Sequence, residues 1–281
     1  MKKTRLLAAL MVAAMMLSLA ACGGSDKASS SASSAAASSA ASAEVEGDAA
    51  FTTITDGVLT MGTNAAFPPY EFIDENNEVA GIDADIANAV AEKLGLELEI
   101  KDMAFDSLIT AVESGSVDIV LAGMTVTPER QEAVNFTTSY ATGIQVVIVT
   151  EGSTIATIDD LTGKKIGVQS GTTGDIYCSS APEDGGYGED AVSRYDNGAL
   201  AVQALLNGQV DCVVIDNEPA KAFVDANDGL KILETEFAVE DYAAAINLEN
   251  TALLDAVNGA LAELESEGKL DEIVGTYIKA E

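Results

Sequence analysis

The sequence has no histidine and no tryptophan, and it is poor in positive charge. Lys and Arg number 14 against 46 Asp and Glu, a formal net charge of −32. Without histidine there is no His-based triad or dyad and no imidazole metal ligand. So few basic residues leave no cationic footprint for nucleic acid and no basic face for docking on anionic lipid. The acidity does not mean disorder, because a hydrophobic share of 48% still supports one or two real cores.

The first part of the chain reads as an export leader. Lys2, Lys3 and Arg5 form a positive start, and Leu6 to Leu19 is an apolar run too short for a good membrane span. Leu19-Ala20-Ala21-Cys22 resembles a lipobox, the bacterial lipoprotein processing site, in which Cys22 becomes the lipidated first residue. The competing reading is an ordinary signal peptide with a chance cysteine. Without the three leader cations, 11 basic residues face 46 acidic ones, a balance of −35. Residues 1–21 are thus the signal and 22–52 a flexible Ser/Ala-rich tether, whose composition buries too little apolar surface to order itself. The other cysteines, Cys178 and Cys212, sit in an exported chain. Sequence leaves a disulfide and two small buried thiols equally open.

From about Thr55 the pattern alternates strand and helix, which predicts an α/β fold. Val58–Met61 is a strand, and Ile82, Ile86, Val90 and Leu94 mark one face of a helix. Strands follow at Leu96–Ile100, Val117–Leu121, Ile144–Val149, Ile166–Val168, Cys212–Ile215 and Ala243–Ile246. Helices are expected at Phe105–Val112, after Pro128, after Gly174, and at 197–206, 218–224, 251–266 and 270–279. A unit of helix, glycine, Val-Asp and apolar strand occurs at Leu108–Leu121 and again at Leu200–Ile215. That duplication fits two lobes on one plan.

Four segments carry candidate binding chemistry. The loop Gly62 to Phe72 follows a strand end and is rich in aromatics and proline. Phe67 is assigned to a ligand and Phe72 to the core. Next, Gly123-Met124-Thr125 offers strand-end carbonyls and a hydroxyl, with Arg130 on the helix begun by Thr127 and Pro128. The sequence has only three arginines, Arg5, Arg130 and Arg194. A planar guanidinium suits a carboxylate, so Arg130 is the anion-binding candidate and Arg194 a surface ion pair. Third, Gln169-Ser170-Gly171-Thr172-Thr173-Gly174 precedes a helix, whose N-terminus favours an anion. Its glycines fit neither a dinucleotide fingerprint nor a Walker A loop, so a carboxylate is favoured over a polyphosphate. Fourth, Asp216 ends an apolar strand, placed either to hold an ammonium or to cap the next helix. Asp74–Glu78 lacks the Gly and closing Glu of a calcium loop and reads as a hairpin turn, so no metal and no cofactor are expected.

In this order the motifs resemble the family 3 extracellular solute-binding proteins, polar amino-acid receptors of ABC importers. The match rests on Gly81-Ile82-Asp83-Ala84-Asp85-Ile86, Ala122-Gly123-Met124-Thr125, Thr127-Pro128-Glu129-Arg130, Ser170-Gly171-Thr172-Thr173 and Val214-Ile215-Asp216. The resemblance implies a two-lobed α/β fold of the periplasmic-binding-protein type with a two-segment hinge. Lobe 1 would be 53–142 and 242–281, and lobe 2 143–241. It implies that Arg130 and the Thr173 N–H hold the ligand's α-carboxylate, with Thr172 in the same turn. Asp216, the Gly123 carbonyl and the Thr125 hydroxyl would hold its ammonium. Phe67 and Phe105 would sandwich it, and Asn64 and Gln169 would face its side chain. Neutral amides at those two positions favour a polar, uncharged ligand such as glutamine, or cystine. The implied protein is a lipid-anchored, extracytoplasmic monomer that is not an enzyme, docks a membrane permease and binds no nucleic acid. The same fold serves two other roles, cyclic-carboxylate dehydratase and ligand-sensing module.

Overall fold

A computed structural model of the chain describes residues 51–233 and 236–279. The leader, the lipobox Cys22 and nearly all of the tether lie outside the described residues.

The helix Ile82–Leu94 shows how local sequence sets an element. Ile82, Ile86 and Val90 are buried along one stripe, and Gly95 ends the helix in the left-handed conformation, its N–H bonding back to the last carbonyls. This helix packs against Thr251–Ser266 and Lys269–Tyr277, which close the chain. Under them lies a five-stranded sheet, ordered Glu97–Asp102, Val58–Thr63, Ile119–Val120, Ala245–Asn247, Val134–Phe136. The first three strands are mutually parallel and Ala245–Asn247 runs against its neighbours. A second sheet orders Val192–Tyr195, Ile166–Gln169, Cys212–Asp216, Ala141–Thr150 and Leu230–Ile232, with Ala238–Tyr242 also paired to Ala141–Thr150. The chain crosses between sheets twice, from Val134–Phe136 into Ala141–Thr150 and from Ala238–Tyr242 back to Ala245–Asn247. Tyr140 N–H to the Tyr242 carbonyl at 3.0 Å ties the crossings together, and Val126 N–H, near the end of the first sheet's strand Ile119–Val120, donates to the Asp241 carbonyl at 3.0 Å.

The duplicated unit has one structural meaning in both places. Asp118 N–H donates to the Thr60 carbonyl and Thr60 N–H returns to the Asp118 carboxylate. Asp211 N–H donates to the Lys165 carbonyl and Lys165 N–H returns to the Asp211 carboxylate. Each Val-Asp thus staples its strand to the parallel neighbour in its own sheet. Gly115 and Gly208 have φ of 70° and 67°, which lets the chain reverse between helix and strand.

Several expectations are revised. Phe105–Val112 is a 3-10 turn, Phe105–Ser107, followed by the helix Leu108–Glu113. Phe72 is half-buried, edge-on to Tyr277 rather than in the main core. The segment Asp74–Glu78 is a hairpin turn as expected, closed by the Asp74 carboxylate on the N–H groups of Asn76 and Glu78. Cys178 and Cys212 form no disulfide. Both are fully buried thiols in the apolar cluster of the second sheet, with Ile166, Val168 and Val214. Burial pushes the Cys212 thiol up to about 12 and Cys178 higher still. In a variant beginning after Cys22, neither thiol is expected to react with a thiol reagent in the folded protein, and both should react in denaturant without reductant. Fewer than two titrated thiols in denaturant would show that they pair.

Candidate functional site

The parallel strands of both sheets end toward the same crevice, the place where α/β sheets hold ligands. From the first sheet come Asn64 and Phe67 after Val58–Thr63, Phe105 after Glu97–Asp102, and Gly123, Thr125 and Arg130 after Ile119–Val120. From the second come Gln169 at a strand end, Thr172 and Thr173 at the start of Thr173–Ser179, and Asp216. All of these line one cavity, so the structure brings together every ligand-contact residue named from sequence. Glu71 and Ala122 line it as well, and sequence had assigned neither a role.

Arg130 is positioned by its own helix start. Thr127 accepts the Arg130 N–H at 3.2 Å as N-cap, and Pro128 occupies the first turn. Arg130 is 8% exposed and is the one buried basic residue among the described residues. Its guanidinium donates to the Thr125 carbonyl at 2.7 Å and to the Gly171 carbonyl at 3.1 Å, the latter in the other lobe, and lies 5.4 Å over the Phe105 ring. Burial lowers its pKa, opposed by the charge of Glu240. Arg194 instead pairs with Asp175 and Glu189 at 2.8 Å each, away from the cavity.

Asp216 stands at the N-cap position of the helix Asn217–Ala226, but its side chain makes no capping bond. It is buried, and accepts from Gln145 Nε2 at 2.8 Å and from the Tyr242 hydroxyl. Burial, reinforced by nearby Glu240, raises its pKa to about 7. Deeper lies a second acidic pair. Asp83 accepts the Gly123 N–H at 2.7 Å and the Tyr140 hydroxyl at 2.8 Å, yet burial still raises it to about 6. Glu71 is fully buried beside Asp83 and is raised well above the carboxylate range by burial and by that neighbour. Both Glu71 oxygens and Asp83 Oδ1 are buried without another partner, and a proton on Glu71 shared with Asp83 offsets part of that cost.

Sequence missed Glu240, Gln145 and Tyr242. Gln145 was the one polar residue inside the otherwise apolar stretch Ile144–Val149, a signal that a buried strand keeps an amide only where it has partners.

The cavity measures about 20 Å³, room for roughly one water. Gln169 Nε2 donates to Asn64 Oδ1 at 2.9 Å across it. Gly171 has φ of 74°, and a Cβ there would stand 3.0 Å from Asp106 of the first lobe, so only glycine lets the two sides approach this closely. That space is too small for an amino-acid-sized molecule.

Residues 59–280 match the family described as bacterial extracellular solute-binding proteins, family 3, and the chain belongs to that family of binding proteins. Its fold is that of the solved members. A structure of an ancestral arginine-binding protein bound to glutamine superposes with a TM-score of 0.74 at 40% identity, covering 80% of this chain and 100% of that one. The arginine-, lysine-, histidine-binding protein ArtJ from Geobacillus stearothermophilus superposes with a TM-score of 0.73 at 32% identity, covering 79% and 96%. In sequence, the arginine-binding extracellular protein ArtP of Bacillus subtilis is 33% identical over 79% of this chain and 87% of its own length. The L-cystine-binding protein TcyJ of Escherichia coli is 31% identical over 80% and 84%.

The raised carboxyls fix a pH dependence. Asp83 and Asp216 hold protons in the folded protein at pH values where the unfolded chain has lost them. Their contribution to stability is therefore complete below about pH 4, and it is lost as pH rises through about 6 and 7. Ligand-free protein should gain on the order of a few kcal/mol between pH 8 and pH 5, measured by denaturant unfolding. Stability that falls from pH 8 to pH 5 would contradict the raised carboxyls of Asp83 and Asp216.

Proposed function

We propose that this protein captures a free α-amino acid outside the cytoplasm and delivers it to an ABC permease. One observation carries the reading: a buried guanidinium and a buried carboxylate, Arg130 and Asp216, line a single crevice between two lobes. Among the described residues neither charge has a salt-bridge partner across it, and a zwitterion supplies one for each. Arg130 and the Thr173 N–H would take the α-carboxylate. Asp216, the Gly123 carbonyl and the Thr125 hydroxyl would take the ammonium. Phe67 and Phe105 would flank the aliphatic stem. The ligand touches both lobes only when they close, so its affinity difference between open and closed forms drives the closure. The lobes are 53–142 with 242–281, and 143–241.

For the side chain, the facing amides of Asn64 and Gln169 favour a polar, uncharged partner, glutamine before cystine. An ancestral arginine-binding relative seen with glutamine, and a cystine-binding relative, support that choice. Cys22 would anchor the monomer to the membrane through lipid, with residues 22–52 as its tether.

Arg130→Ala and Asp216→Ala are each expected to weaken binding by at least about 2 kcal/mol, as truncating one side of a buried charged pair does. Calorimetry showing unchanged affinity in either variant would overturn the site. In a thermal-shift screen of the common amino acids and cystine, glutamine is expected to give the largest rise. A rise for arginine or histidine alone would keep the amino-acid reading and overturn the side-chain assignment.

A further inference from the structure

Glu240 lies on the returning crossing strand Ala238–Tyr242 and is only 4% exposed. One of its oxygens, Oε2, accepts from the Thr125 hydroxyl at 3.0 Å, the Thr173 hydroxyl at 3.0 Å and Gln145 Nε2 at 3.1 Å. Those donors come from the first lobe, the second lobe and the outgoing crossing strand. The other oxygen, Oε1, is buried without a partner. Glu240 stands behind the cavity, while Thr125 and Thr173 form part of its wall.

A hydroxyl has one proton and two lone pairs. With both protons directed to Glu240, the Thr125 and Thr173 oxygens have only lone pairs to offer the cavity. Gln145 Nε2 approaches one of those on Thr173 at 3.4 Å. The wall is thereby set to accept hydrogen bonds, which suits an ammonium and gives no partner to the methylene that replaces it in a deaminated acid. Charge points the same way. Asp216 and Glu240 are both buried near Arg130, the one buried cation among the described residues. A ligand that brought a carboxylate without an ammonium would leave that excess negative charge uncompensated.

We infer that Glu240 is a positioning residue that makes the site selective for α-amino acids over the corresponding deaminated acids. It acts through Thr125 and Thr173 and at the same time joins the two lobes. The inference rests on the amino-acid reading above.

The test uses the protein without its leader, with L-glutamine and L-arginine as probes. Each is paired with its deaminated analogue, glutaramic acid or 5-guanidinopentanoic acid. Affinity is measured by calorimetry and folding by thermal melting. For Glu240→Gln, the amino acid's advantage over its analogue should fall at least about tenfold, the scale of losing a charge-assisted hydrogen bond. A merely structural role would weaken both probes alike, and an unchanged ratio in folded Glu240→Gln overturns the inference. If that variant does not fold, Thr173→Val is read instead. It removes one committed hydroxyl, so the ratio should fall about threefold, and an unchanged ratio again overturns the inference. Wild-type protein that binds none of the common amino acids and no cystine defeats the parent reading first, whereas wild-type selectivity preserved in the variants defeats this one alone; if another amino acid binds, it and its deaminated analogue replace the probes.

Discussion

Burying charge without an opposite charge is among the most costly things a fold can do, and this crevice does it repeatedly. Arg130 is held by two backbone carbonyls and an aromatic face, with no carboxylate in salt-bridge contact. Asp216 is held by an amide and a phenol, with no salt-bridged cation among the described residues. Hydrogen bonds make each state tolerable, and the carboxyl responds by rising to about 7. The arrangement suits a partner with both signs of charge.

The fold supplies this arrangement by bringing strand ends from two sheets to one place. The Val-Asp staple recurs in each sheet, so the two halves are anchored by the same device at Asp118 and Asp211. Only two crossing segments join the sheets, and the polar network runs along both. Gln145 sits on one; Glu240 and Tyr242 sit on the other. Groups that shape the binding end of the crevice are therefore also the groups that lie where the halves connect.

Sequence legibility followed the range of the interactions. Arg130 was legible because arginine is so scarce and because Thr127 and Pro128 announce the helix that carries it, all within four residues. Asp216 was legible from its place at the end of the all-apolar strand Cys212–Ile215. The helix Ile82–Leu94 followed directly from its apolar stripe. Glu240 was not legible: its partners Thr125, Gln145 and Thr173 lie 115, 95 and 67 residues away, and nothing local marks it. Glu71 stood in view inside an aromatic loop, but its burial against Asp83 depends on tertiary packing. The state of Cys178 and Cys212 was likewise a matter of geometry. Short strands such as Val192–Tyr195 and Leu230–Ile232 lack a distinct pattern, because edge pairing rather than local propensity makes them.

If Asp216 receives the ligand's ammonium, binding is coupled to proton release. A cation placed beside a carboxylate near 7 lowers its pKa, so binding at pH 6.5 must expel part of a proton. Calorimetry of the bound amino acid in buffers of different ionisation enthalpy measures this directly. The account expects net proton release in the wild-type protein that disappears in Asp216→Asn. Binding with no proton release at pH 6.5, or the same release in the variant, would contradict it.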